Sequence, residues 1–87
     1  MARSHKTQAR EFALLALHAA EGVPITDRAL RDHVLRGIGG ALSDLDVGDV
    51  IRDLELDGLI DGTRSELRDD KVWLLSDTGA IRAKKLR

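Results

Sequence analysis

The sequence predicts an α+β fold in which three helices, a short strand, a β-hairpin and a closing helix share one core. Three observations carry this. In DVGDVIRDLELDGLIDG, Asp46 to Gly62, the residues Val47, Val50, Ile51 and Leu54 recur at helical spacing, so one face is apolar over about three turns. Downstream, TRSELRDDKVWLLSDTG places short apolar runs on either side of Asp69 and Asp70 and then offers Ser76 as a helix cap, the pattern of a hairpin followed by a helix. Upstream, QAREFALLALHAAEG is rich in Ala and Leu and carries no internal proline, hence is strongly helix-forming. At 87 residues the chain is near the lower size at which one core suffices, so a single domain over 1–87 is expected.

The elements follow in order. Residues 1–6 are polar and basic and form an arm. A first helix over 7–21, capped by Ser4 or Thr7, carries a stripe of Phe12, Leu15, Ala16 and Ala19, with Leu14 and Leu17 extending it sideways. Its apolar surface exceeds one face, which suits a central helix or a dimer contact. Gly22 and Pro24 stop it and leave VPI as a short extended piece. Thr26 caps a second helix over 27–36, turned inward through Leu30, Val34 and Leu35. Gly37 to Gly40 form a loop anchored by Ile38. The third helix, 44–57, starts at Asp46 with Asp49 three residues on, or at Ser43 with Asp46; Gly58 ends it, and Leu59 and Ile60 fold back onto the stripe. The hairpin spans 63–75, with Leu67 on its first strand. Trp73 and Leu75 share one face of the second strand, Val72 and Leu74 the other, so cover is needed on both sides, from the last helix (77–86) or another subunit.

Charge is unevenly distributed. The net charge is −1, yet all fifteen acidic residues lie between Glu11 and Asp77. Arg3, Lys6 and Arg10 make the first ten residues basic, and Arg82, Lys84, Lys85 and Arg87 do the same for the last six. An acidic body with basic ends governs any encounter with a polyanion. There is no cysteine, hence no disulfide framework or thiolate metal cluster. Without a membrane-length apolar run or a signal-peptide core, a cytoplasmic protein with no membrane partner is expected.

The strings PITDRAL, VIRDLELDGLI and VWLLSDTG, in the order helix, short strand, helix, helix, strand, strand, helix, resemble those of winged helix-turn-helix (wHTH) domains of the small bacterial transcriptional-regulator type. DVIRDLELDGLI and VWLLSDTG are also similar to winged-helix proteins of Mu-like transposable phages. The likeness covers residues 8–82 and implies a DNA-binding regulator of transcription: in that family the third helix enters the major groove while the hairpin wing and the amino terminus hold phosphates. Carried over, Asp44, Gly48, Asp49, Arg52 and Asp53 are the outward positions of the third helix. Only Arg52 suits base reading, because guanidinium pairs with guanine whereas carboxylates are repelled by phosphate. From Ser43 to Asp61 there are seven acidic residues and one basic, a departure from the family pattern. Phosphate contacts are therefore expected from Arg64, Arg68 and Lys71 on the wing and from Arg3 and Lys6 on the arm.

Other chemistries fit less well. Asp44, Asp46 and Glu55 mimic positions 1, 3 and 12 of an EF-hand loop, but Asp49 stands where glycine is required and the apolar stripe demands a helix, so no metal is expected. His5, His18 and His33 are dispersed with no nucleophile or phosphate-cradling motif beside them, so neither enzyme activity nor a cofactor is expected. The rival function is a protein-interaction module without intrinsic DNA binding, its acidic third helix meeting a basic protein partner and Leu56 lying off the apolar stripe as a contact. A homodimer is expected through the terminal helices, with Leu14, Leu17, Ile81 and Leu86 at the interface.

Overall fold

The computed structural model describes residues 4–64 and 71–86. The elements run α1 (His5–Ala19), β1 (Ile25–Thr26), α2 (Asp27–Gly37), α3 (Asp44–Leu56), β2 (Ile60–Arg64), β3 (Lys71–Leu75) and α4 (Asp77–Lys85). The strands form one antiparallel sheet in the order β1-β3-β2, so the two-residue β1 closes the side of the hairpin away from β2. Ile25 and Gly62 both pair with Trp73, which places that residue in the middle of the sheet. α1 packs against α2, α3, α4 and β3, and is the hub of the helical layer. This is the winged-helix arrangement that the sequence resembles.

Each helix starts where a hydroxyl satisfies an otherwise unpaired N–H. Ser4 accepts from Thr7, Thr26 from Ala29, Ser43 from Asp46 and Ser76 from Gly79. Of the two starts open for the third helix, Ser43 with Asp46 is the one used: the Asp46 N–H donates to the Ser43 hydroxyl and the Ser43 N–H returns to the Asp46 carboxylate, closing a capping box. Gly58 ends α3 in the left-handed conformation, φ 75°. Its N–H donates to the Glu55 carbonyl and that of Leu59 to Leu54, a Schellman closure that turns Leu59 and Ile60 into the core. The first hairpin strand therefore begins at Ile60, three residues before the expected 63. α1 begins at His5 and ends at Ala19, two residues earlier at each end than expected.

The core contains Leu30, Val34, Val47, Val50, Ile51, Leu54, Leu59, Ile60 and Trp73, all expected. On α1 the expected face is rotated. Ala9, Ala13, Leu14 and Leu17 are buried, Phe12, Leu15 and Ala16 only partly so, and Ala19 is exposed. On a helix apolar over more than one face the neighbours choose. Ala9, Ala13 and Ala83 of α4 are wholly buried, and such small side chains let helices approach closely. The rotation corrects two interface assignments, since Leu14 and Leu17 are each 3% exposed and belong to the protomer's own core. Ile81 is 59% exposed and Leu86 is partly buried against the core. α4 packs against Leu75, on the Trp73 face of β3, and Leu74 of the other face is only partly buried and lines a groove with Leu17, His18 and Ala80. Leu67 lies outside the described residues.

Two substitutions check this packing. Leu54→Ala, at a site with no exposed surface, is expected to cost ~2–5 kcal/mol in chemical denaturation. Gly79→Ala would place a Cβ against the Leu59 carbonyl, a backbone group that cannot step aside, and is expected to lower the denaturation midpoint despite alanine's helix propensity. A midpoint unchanged in Leu54→Ala, or raised in Gly79→Ala, would contradict the packing of α3 and α4 described here.

Candidate nucleic-acid interface

The surface to test lies on α3 and the wing. Both are set by Trp73. Its indole N–H donates to Asp27 at the start of α2 (2.9 Å), and Asp27 also accepts from Arg31 Nε (2.8 Å). Arg31 extends to Asp44 in the first turn of α3 (3.4 Å) over Gly48, where a Cβ would stand 3.1 Å from the guanidinium. Sheet, α2 and α3 are thus tied by one chain of polar contacts. From the other side, Lys71 lies over the Trp73 ring, 4.5 Å from its centre, and its ammonium meets Glu55 of α3 at 3.4 Å. Trp73, Lys71, Glu55, Arg52, Asp49, Arg31 and Gly48 line the cleft between wing and third helix.

The expected DNA-contacting residues occupy different situations in this frame. Arg52 is exposed on α3 between Asp49 and Asp53, also exposed. Arg64 ends β2, exposed and in register with Lys71, so the two side chains share one sheet face. Lys71 is half-buried and engaged by Glu55 and Trp73, which makes it a brace of the wing more than an open phosphate ligand. Lys6 is exposed in the first turn of α1. Arg3 and Arg68 lie outside the described residues. Among the described residues, Arg52, Arg64 and Lys6 make no ion pair, whereas Arg10 is bound to Asp57 at 2.7 Å and Arg36 to Asp32 at 3.1 Å. Gly48, expected to face outward, is half-covered by Arg31.

Asp46, in the first turn of α3, feels the charge of Lys6 in the first turn of α1. The Ser43 hydroxyl, donating at 3.0 Å, and then the Ser43 N–H hold its carboxyl below the ordinary carboxylate value; desolvation opposes this slightly and the positive Lys6 adds to it. Its carboxylate is already used as a cap, and Glu55 is engaged by Lys71. Neither stands as an open metal ligand.

Two features were missed. Leu45 is 80% exposed, as much a part of the outer face of α3 as Leu56 at 76%. Arg31 links α2 to α3, and its four-residue spacing from Asp27 on one helix is the signal that would have revealed the pair. Among the described residues no helix is long and apolar enough to cross a membrane.

Known proteins bear on the fold. No protein-family model and no curated protein matches the chain. Solved structures do. An apo-form mutant of Lactococcus lactis ZitR is similar with a TM-score of 0.68 and 18% identity, over 93% of this chain and 55% of that one. Another structure of ZitR, described as a zinc-responsive MarR family member, gives 0.64 and 20% over 90% and 49%. The S. aureus MepR–DNA complex gives 0.64 and 16% over 90% and 59%. Bordetella bronchiseptica BpsR, whose DNA binding is regulated by 6-hydroxynicotinic acid, gives 0.61 and 16% over 98% and 60%. The chain spans about half the length of the ZitR structures it matches. These likenesses establish a winged-helix fold.

The capping box generates a pH prediction with a definite sign. The folded-state pKa of Asp46 lies below its unfolded value, so its stabilising effect is fully present above the ordinary aspartate range. That effect is lost as pH falls through the lowered value. In an NMR titration Asp46 is expected to protonate at lower pH than a free aspartate, and Ser43→Ala to move the midpoint back up. An unshifted midpoint in the unmodified chain would contradict the cap.

Proposed function

We propose that this chain is a DNA-binding winged-helix protein, a small transcriptional regulator of bacterial or phage type, that grips the duplex with its wing and basic ends. One observation carries the reading: in a winged-helix frame, exposed cations outside any ion pair among the described residues stand on the wing, at Arg64, and at the start of α1, at Lys6, whose charge is felt at Asp46. The likeness to MepR, solved as a DNA complex, supports it. Arg68 would extend the wing contact and Arg3 the arm contact. Lys71 would act at one remove, its bond to Glu55 fixing the angle of the wing on α3. Arg52 is left out of the phosphate set, because the exposed carboxylates of Asp49 and Asp53 flank it.

Two copies of the chain would pair through the terminal helices. With Leu14 and Leu17 inside the chain's own core, the exposed Ile81 and the partly buried Leu86 are the apolar residues left for that interface. Sedimentation at micromolar concentration is expected to show a dimer that Ile81→Asp converts to monomer; a monomeric unmodified chain would remove this part of the proposal.

Binding of a random duplex is expected to weaken steeply with salt, and each cation lost at Arg64 or Lys6 to reduce the log–log slope by about one. Titrations of the unmodified chain and of a Lys6→Ala, Arg64→Ala double variant across ionic strength provide the check. No affinity at low salt would reject the DNA-binding reading. Equal slopes in both proteins would move the contact to other cations.

A further inference from the structure

α3 carries a second apolar stripe, turned away from the core. Leu45 and Leu56 are among the most exposed large apolar residues described, on the helix whose Val47, Val50, Ile51 and Leu54 are buried. They are eleven positions apart. At ~100° and 1.5 Å per residue that separation brings the side chains to within ~20° of one direction, ~16 Å apart along the axis. Asp49 and Arg52 fall on the stripe between them and Asp53 beside it, all exposed. Asp49 and Asp53 make no ion pair among the described residues, whereas at the two ends Asp44 is paired with Arg31 and Asp57 with Arg10.

A single exposed leucine is ordinary. Two aligned leucines, with Arg52 between them and the unpaired carboxylates of Asp49 and Asp53 alongside, make two apolar contacts on a face of net negative charge, a poor surface for a polyanion and the complement of a helix apolar on one face and cationic at its edges. Charge decides the occupant. An acidic or neutral helix would leave Asp49 and Asp53 desolvated with only Arg52 to offset two charges, which costs free energy, whereas Lys or Arg side chains would neutralise the excess.

We propose that the outer face of α3 docks a cationic amphipathic helix of another protein, whose apolar residues cover Leu45 and Leu56 while its basic residues meet Asp49 and Asp53. The strip contains neither Arg64 nor Lys6, although Leu45 and Asp49 also line the cleft between α3 and the wing, so it is tested on its own residues.

Calorimetric titration of the full chain with two synthetic Leu–Lys peptides tests this, one with its leucines along a single helical face and one of the same composition permuted to abolish that face. Only the amphipathic peptide is expected to bind. Leu45→Ser with Leu56→Ser should weaken it about tenfold or more. Asp49→Asn with Asp53→Asn should weaken it and flatten its salt dependence. All four side chains are exposed, so both double variants are expected to keep the unfolding transition of the unmodified chain. Equal binding of the two peptides, or binding indifferent to both double variants, would overturn the proposal. So would a loss of duplex affinity, or of self-association, on removing the two leucines, because the strip would then serve DNA or a second copy.

Discussion

The indole of Trp73 is the contact on which the rest of the molecule depends. It lies in the middle strand, flanked in register by Ile25 and Gly62, and its N–H reaches the first residue of α2. Gly62 is the residue that allows this, since a Cβ there would stand 2.7 Å from the ring. Asp27 passes the tie through Arg31 to the first turn of α3, and Lys71 returns it from the ring face to Glu55. A side chain buried by its ring and satisfied at its one polar atom serves both core and polar network. The wing, α2 and α3 are therefore oriented by one residue.

That frame also sorts the charges. Cations near the tie are used up: Arg31 by Asp27 and Asp44, Lys71 by Glu55. The outward carboxylates of Asp49 and Asp53 make no ion pair among the described residues, and the one cation beside them is the exposed Arg52. A winged helix of this kind presents to solvent an acidic third helix with apolar ends and a single open cation, Arg52, while Lys6 and Arg64 stand open on other elements. Long-range attraction to a polyanion would then come from the edges of the molecule, and the third helix would be held off by its own charge.

Much of the fold was legible because its signals are local. The stripe Val47, Val50, Ile51 and Leu54, the glycine closure at Gly58 and the caps at Thr26 and Ser76 each follow from residues within one or two turns. The facing of α1 was not legible, since a helix with apolar residues on several sides carries no local information about which side its neighbours will cover. Leu14 and Leu17 were assigned to an interface for that reason and lie in the core. The site was legible in part. That Arg52 stands alone among carboxylates is a matter of spacing, whereas the engagement of Lys71 by Glu55 requires a contact across sixteen residues that no periodicity reveals. Leu45 could have been found from its spacing to Leu56.

The central claim is that the third helix stays clear of a duplex held by the wing and the amino-terminal arm. Mapping backbone amide shifts of the labelled chain on adding a short random duplex at low salt tests it most directly. Changes are expected around Lys6 and Arg64, with Asp49, Arg52 and Asp53 unmoved. Changes centred on α3, or none anywhere, would contradict it.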